Sequence, residues 1–308
     1  MLFLSKNFTL FNLLKIYLIL VLSVLSSADT KLVILGSGTP NPDPNRYGSA
    51  YAVIADDQAY LVDFGPGVIR RAAEMSPAWG GDIPQLQVSK LQYAFLTHIH
   101  SDHSAGLADL ILTPWVMGRD TELKLFGPKG LKAMSKGIIS AYELDILYRL
   151  NGTQPANPTG YKTIVKEIDE GVIFKDDHVE VTAFYNDHGG LRNSFGYLFK
   201  TKDKKILFSG DTSLSNNLIK HGNDLDILVH EVYSSEGFKT KTDDWKIYHK
   251  EHHTSSIELG LIAKDLKPKK LVASHILFWG ASEESIYKDI RKNFEGEVII
   301  ANDLLVID

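Results

Sequence analysis

Short apolar runs separated by turn-rich segments recur along the chain, and their periods predict its elements. Residues 31–35 (KLVIL) form an unbroken apolar run that reads as a buried strand entering the turn GSGTP at 36–40. Residues 50–55 (AYAVIA) and 59–63 (AYLVD) read as two strands paired across Asp56-Asp57. A short helix is predicted over 68–75, after Gly65-Pro66-Gly67, and a strand over 90–97 that delivers the chain to His98. Residues 106–116 suit a helix, 123–126 a strand, and 130–150 carry helical spacing, followed by a polar loop at 151–160. Strand patterns return at 171–175, 178–186, 195–201, 205–209 and 227–230. Residues 255–265 are amphipathic, with Thr254 or Ser255 as the cap. A strand at 270–275 follows, and 297–302 with 304–307 read as a terminal pair. Strand blocks alternating with helices in two halves suggest two sheets packed face to face with helices outside.

Composition narrows the chemistry. The 308 residues are 44% hydrophobic and 23% charged, enough for a large core, and the net charge of −5 offers no overall basic surface. There is no cysteine, so disulfides, thiolate ligands and a cysteine nucleophile are excluded. Any metal must be held by His, Asp and Glu. Residues 1–28 contain Lys6 and Lys15, no acid, an apolar run at 16–25 and then Ser26, Ser27 and Ala28. This order predicts a signal peptide cleaved after Ala28, leaving a domain over 29–308 in a secreted or periplasmic protein. The other reading is an uncleaved anchor, although ten apolar residues are short for ~30 Å of hydrocarbon. Cleavage would remove two lysines, take the net charge from −5 to −7 and leave no stable membrane association.

The densest chemical signal is T-H-I-H-S-D-H at 97–103. A strand would place His98 and His100 on one face, and a helix beginning just beyond would turn Asp102 and His103 toward the same point. One catalytic zinc needs three protein ligands and an open position, so four ligands here plus distant ones suggest two metals. His188, Asp211 and His275 each lie at the exit of a predicted strand, where loop residues converge.

With these pieces in order, the chain resembles the metallo-β-lactamase-fold hydrolases, from about residue 31 to His275. The resemblance implies an α+β fold, the four-layer αββα sandwich, with a helical insert near 130–160. It implies that His98, His100 and His188 hold one zinc, that Asp102, His103 and His275 hold another, and that Asp211 bridges both, with manganese or iron as alternatives. An Asp at the place of Asp211 sets the chain apart from true β-lactamases and resembles ribonuclease Z, phosphodiesterase, sulfatase and glyoxalase II-like branches. GSGTP, VDFGPG at 62–67, His230-Glu231 and HTSSIE at 253–258 resemble the ribonuclease Z-related branch. There, His253 supported by Glu231 would assist bond cleavage, and Asp102 would orient the attacking metal-bridging hydroxide. Asp63, at the end of its predicted strand, would either brace the ligands from outside or simply cap the strand end.

Two departures shape the expected substrate. Only residues 189–194 separate His188 from Phe195, so the long basic arm that clamps transfer RNA in ribonuclease Z is absent. The chain is also acidic. The expectation is therefore a small-molecule ester substrate, a phosphodiester or aryl sulfate, with no nucleic acid and with a homodimer allowed. Carboxylic ester or lactone hydrolysis, a ribonuclease Z-like phosphodiesterase and a non-catalytic sensing protein are the alternatives. The insert is expected to cap the site, with Tyr142 and Tyr148 either contacting substrate or packing the insert.

Overall fold

The computed structural model describes residues 29–308, so the expected signal peptide at 1–28 lies outside the described residues. Fourteen strands form two sheets of seven. The first sheet holds β1 (Lys31–Gly36), β2 (Ala50–Ala55), β3 (Gln58–Val62), β4 (Tyr93–Phe95), β5 (Leu123–Gly127), β6 (Thr163–Glu167) and β14 (Val306–Ile307), in the order β14-β1-β2-β3-β4-β5-β6. The second holds β7 (Gly171–Lys175), β8 (Glu180–Tyr185), β9 (Phe195–Lys200), β10 (Lys205–Phe208), β11 (Ile227–Tyr233), β12 (Lys270–Leu277) and β13 (Glu297–Ile300), in the order β13-β12-β11-β10-β9-β8-β7. Among the described residues, ten α-helices connect them: α1 (Val68–Glu74), α2 (Ser101–Ser104), α3 (Leu107–Val116), α4 (Leu131–Ala141), α5 (Glu143–Asn151), α6 (Asn216–His221), α7 (Ser235–Phe238), α8 (Asp243–His252), α9 (Ser256–Leu266) and α10 (Glu283–Arg291).

Three apolar clusters define four layers. Alternate residues of both sheets, among them Ile34, Val53, Phe95, Val181, Phe199 and Ile227, meet between the sheets. The other face of the first sheet, with Val33, Leu61 and Leu96, packs under Leu107, Leu110 and Ile111 of α3. The other face of the second sheet, with Leu207, Leu228 and Leu271, packs under Leu259 and Ile262 of α9 and Ile286 and Ile290 of α10. This is the expected αββα sandwich, and the strands are apolar on both faces because both faces are covered.

The final strands correct the expected terminal pair. β13 adds parallel to β12 in the second sheet, whereas β14 adds antiparallel to β1 in the first. The run at 130–150 is two helices broken at Tyr142 rather than one, and it is not a cap. None of its residues lines the cavity over the His/Asp cluster. α4 instead lies on α3 and β6, and Tyr148 is 77% exposed on the surface. A buried guanidinium secures this insert. Pro114 in α3 has no N–H for the carbonyl of Leu110, and Arg119 Nη1 donates to that oxygen at 3.1 Å. Arg119 also donates to the carbonyls of Leu91, Ile111 and Gly160.

Strand direction positions the chemistry. β3, β4, β5 and β6 run parallel, as do β10, β11, β12 and β13. The loops after β4, β10, β11 and β12 therefore leave at carboxyl ends of parallel strands, where open α/β sheets build their sites.

Candidate metal centre

β4 ends at Phe95, and Leu96 and Thr97 carry the chain to His98. His98 is fully buried, His100 is partly exposed, and the single turn of α2 brings Asp102 and His103 back toward them. The close approach of this turn explains the glycine in VDFGPG, because a Cβ on Gly65 would lie 2.2 Å from the carbonyl oxygen of Asp102. His188 follows β8, Asp211 follows β10, and His275 sits within β12. The β11–β12 register slips between Glu231 and Val232, opposite Ser274 and Ile276. His275 is the extra residue of this bulge, with a left-handed φ of 45°, and the slip takes its side chain out of the ladder.

All seven expected ligands converge. His98 Nε2 lies 3.0 Å from His100 Nδ1, which lies 3.3 Å from His188 Nε2. Nitrogens spaced about 3.3 Å apart are what a tetrahedral ion with ~2.0–2.1 Å bonds requires. On the other side, Asp102 Oδ2 lies 3.0 Å from His275 Nε2 and 3.4 Å from His103 Nε2. Asp211 stands between the groups: Oδ2 is 3.7 Å from His98 Nε2 and 3.6 Å from His275 Nε2, and Oδ1 is 3.4 Å from His103 Nε2. His98, His100, His188 and Asp211 thus form one group able to hold a cation, and Asp102, His103 and His275 form a second. His103 Nε2 and Asp211 Oδ1 are buried with no protein hydrogen-bond partner. Buried polar atoms are rarely left so, and a divalent ion fits this all-nitrogen-and-oxygen donor set.

Outer contacts fix which ring atom points inward. Thr97 Oγ1 lies 3.0 Å from His98 Nδ1, Asp63 accepts from His103 Nδ1 at 2.7 Å, and the His252 carbonyl accepts from His188 Nδ1 at 2.8 Å. Each leaves Nε2 directed at the centre. Burial pushes His98 well below its ordinary pKa and His188 down to about 4, which keeps both rings neutral as ligands. Burial alone would also lower His103, but the carboxylates of Asp211, Asp102 and Asp63 hold it well above the usual imidazole range. Burial opposes ionisation of Asp211, but the neighbouring His275 and His103 hold it well below the carboxylate range.

His253 and Glu231 come to the same place. Glu231 Oε1 accepts from the backbone N–H of Thr254 at 2.9 Å and of Thr212 at 3.3 Å, tying the segment after Asp211 to the one after His253. Its Oε2 lies 3.4 Å from His253 Nδ1, which is itself 3.9 Å from Asp211. Burial pushes His253 down to about 4, and burial together with the Asp211 charge pushes Glu231 well up. Asp63 contacts the cluster from outside: it accepts from Thr97 N–H at 2.7 Å as well as from His103. The cavity above the cluster has further walls that sequence reasoning did not find, Lys241, Trp245, Tyr248, His249 and Trp279. The available signal was aromatic residues at i, i+3 and i+4 in the run 243–252, a helix that low hydropathy hides.

A profile of the metallo-beta-lactamase superfamily matches residues 43–275. The ribonuclease Z of Mycobacterium bovis (strain BCG / Pasteur 1173P2) is 29% identical over 281 residues, covering 89% of this chain and 96% of that protein. Among solved structures, the metallo-beta-lactamase fold protein YhfI from Bacillus subtilis superposes with a TM-score of 0.66 at 20% identity, over 90% of this chain and 98% of that one. Human tRNase Z, short form, superposes with a TM-score of 0.65 at 24% identity, over 90% and 98%. The chain belongs to the metallo-beta-lactamase superfamily, in its ribonuclease Z-related branch, and is a metal-dependent hydrolase of ester bonds.

These relatives correct two expectations. A small-molecule ester substrate with no nucleic acid is overturned, because the alignment spans nearly the whole length of a ribonuclease. Net charge misled because it averages the surface and says nothing of the charge beside the site. The secreted or periplasmic placement, expected from residues 1–28, is overturned by the same relatives, since the chain aligns along nearly its whole length with ribonuclease Z. Among the described residues, no helix is long and apolar enough to cross a membrane.

Proposed function

We propose that this member of the superfamily is a binuclear zinc phosphodiesterase that cleaves RNA. The observation that carries the reading is the placement of Asp211 between two groups of potential ligands, three histidines on one side and Asp102, His103 and His275 on the other. The ribonuclease relatives favour the phosphodiester over a sulfate or carboxylic ester.

Bound zinc would supply Lewis acidity at the phosphoryl oxygens and a water ionisable near neutral pH. His98, His100, His188 and Asp211 would hold one ion, and Asp102, His103, His275 and the shared Asp211 the other. Asp102 faces the cavity and is placed to orient the attacking water. His253 lines the same cavity, within reach of the departing oxygen. Its ring is neutral when the cavity is empty of anions, and a phosphate there favours the imidazolium that can donate a proton. Glu231 positions both halves of this arrangement through Thr212 and Thr254.

The test is turnover of bis(4-nitrophenyl) phosphate and of a precursor RNA by the zinc-loaded full chain. Asp211→Ala is expected to lower both rates by on the order of 10³-fold, equivalent to about 4 kcal/mol of lost stabilisation. Near-parental rates in that variant would refute the shared-carboxylate reading.

A further inference from the structure

The cavity over the centre encloses about 290 Å³ and has two unlike sides. Its floor is the His/Asp cluster. Its outer wall is built by α8 and the segments flanking it, with Trp245, Tyr248 and His249 on one helical face and Trp279 opposite. A helix of a soluble fold ordinarily turns such a face into the core. Here Trp245 is 54% exposed and Tyr248 36% exposed, both toward the cavity. The rings touch in series along this wall: Trp245 stacks on His249 with centroids 5.4 Å apart, and His249 meets Trp279 at 4.4 Å with the two rings tilted by 53°. Lys241 Nζ lies 4.4 Å from the Trp279 ring, which sets a cation at the end of this series. His249 is buried and its Nδ1 has no hydrogen-bond partner.

We propose that this wall is a stacking subsite for one unpaired nucleobase next to the scissile phosphate, with Lys241 on the adjoining phosphate. The inference rests on the reading of the centre as an RNA phosphodiesterase and names which part of the RNA enters. An aromatic platform beside a lysine is how proteins hold single strands, because every base has a π-face. The cavity volume lies at the low end of small-ligand pockets, which fits one base and excludes a paired duplex. The polar handle His249 meets a base edge, whereas stacking itself is tolerant of sequence. The site therefore selects an unpaired end or a splayed nucleotide rather than a particular base.

Calorimetry on the full chain tests this without turnover. Adenosine 5′-monophosphate should bind roughly tenfold more tightly than ribose 5-phosphate, the worth of one stacked base. Trp245→Ala should collapse that ratio toward one, and Trp245→Phe should restore most of it. Trp245 is exposed enough for both variants to fold, which circular dichroism checks. Equal affinity for the two ligands in the parent, or an unchanged ratio in Trp245→Ala, overturns the subsite. Failure of the phosphodiesterase reading looks different: a preserved base preference with no hydrolysis of bis(4-nitrophenyl) phosphate.

Discussion

Replacing Asp63 by Asn removes one charge from the outside of the centre and leaves all seven proposed ligands in place. Asp63 sits just past the end of β3, 1% exposed, with a left-handed φ of 59° that an asparagine also tolerates. Its carboxylate accepts from Thr97 N–H at 2.7 Å, Thr97 Oγ1 at 2.9 Å and His103 Nδ1 at 2.7 Å. An amide keeps one acceptor for Thr97 but offers His103 either an NH₂ facing an N–H or a weaker, neutral acceptor. Either outcome loosens the ring or moves its proton to Nε2, the atom that faces Asp102 and Asp211. Loss of such an outer carboxylate lowers metal affinity by about 10- to 100-fold, or ~1.4–2.7 kcal/mol. Asp63→Ala orphans three buried donors and should cost roughly 3–9 kcal/mol of folding stability as well. The assay is zinc competition against a chromogenic chelator, paired with urea denaturation of the metal-free protein. An Asp63→Asn variant that holds both zinc ions as tightly as the parent would refute the bracing role.

Three further outcomes are expected. Arg119→Met leaves the carbonyls of Leu91, Leu110, Ile111 and Gly160 without this donor and should lower stability by about 3 kcal/mol or more in urea denaturation; a loss below ~1 kcal/mol would show that water replaces the guanidinium. Burial holds His230 down to about 4, so below pH ~6.5 the unfolded chain takes up a proton that the fold refuses. Stability from this group is therefore full above pH ~6.5 and falls toward pH 4, and His230→Leu should flatten the loss between pH 7.5 and 4.5 by about 2–3 kcal/mol; identical pH profiles would contradict it. Glu231→Gln keeps acceptors for Thr212 and Thr254 but weakens the contact to His253, so kcat should fall by about 10²-fold with little change in folding, and an unchanged kcat would remove His253 from the chemistry.

The centre was legible in the sequence because its signals are local. Four donors fall between His98 and His103, directly after a strand, and the remaining three each follow or end a strand with a clear apolar pattern. The layered fold was legible because strands covered on both faces read as continuous apolar runs. What failed depends on contacts between distant segments. A period of two marks β13 and β14 as strands but does not say which sheet each edge joins. Tyr142 and Tyr148 carry the composition of a binding surface, yet α4 lies on α3 and β6, and neither tyrosine lines the cavity. The true wall, α8, escaped notice because its polar residues mask Trp245 and Tyr248, whose placement depends on the fold after β11. Net charge and the short loop after His188 point away from RNA in the sequence, but an aromatic and lysine wall needs neither a basic surface nor an arm.

Two metal ions sharing Asp211 would lie on either side of its carboxylate. Anomalous diffraction at the zinc edge from crystals of the zinc-loaded chain tests this arrangement most directly. Two peaks about 3.5–4 Å apart are expected, one on each side of the Asp211 carboxylate, with the loss of at least one in Asp211→Ala. A single peak in the parent, or two peaks unchanged in the variant, would contradict it.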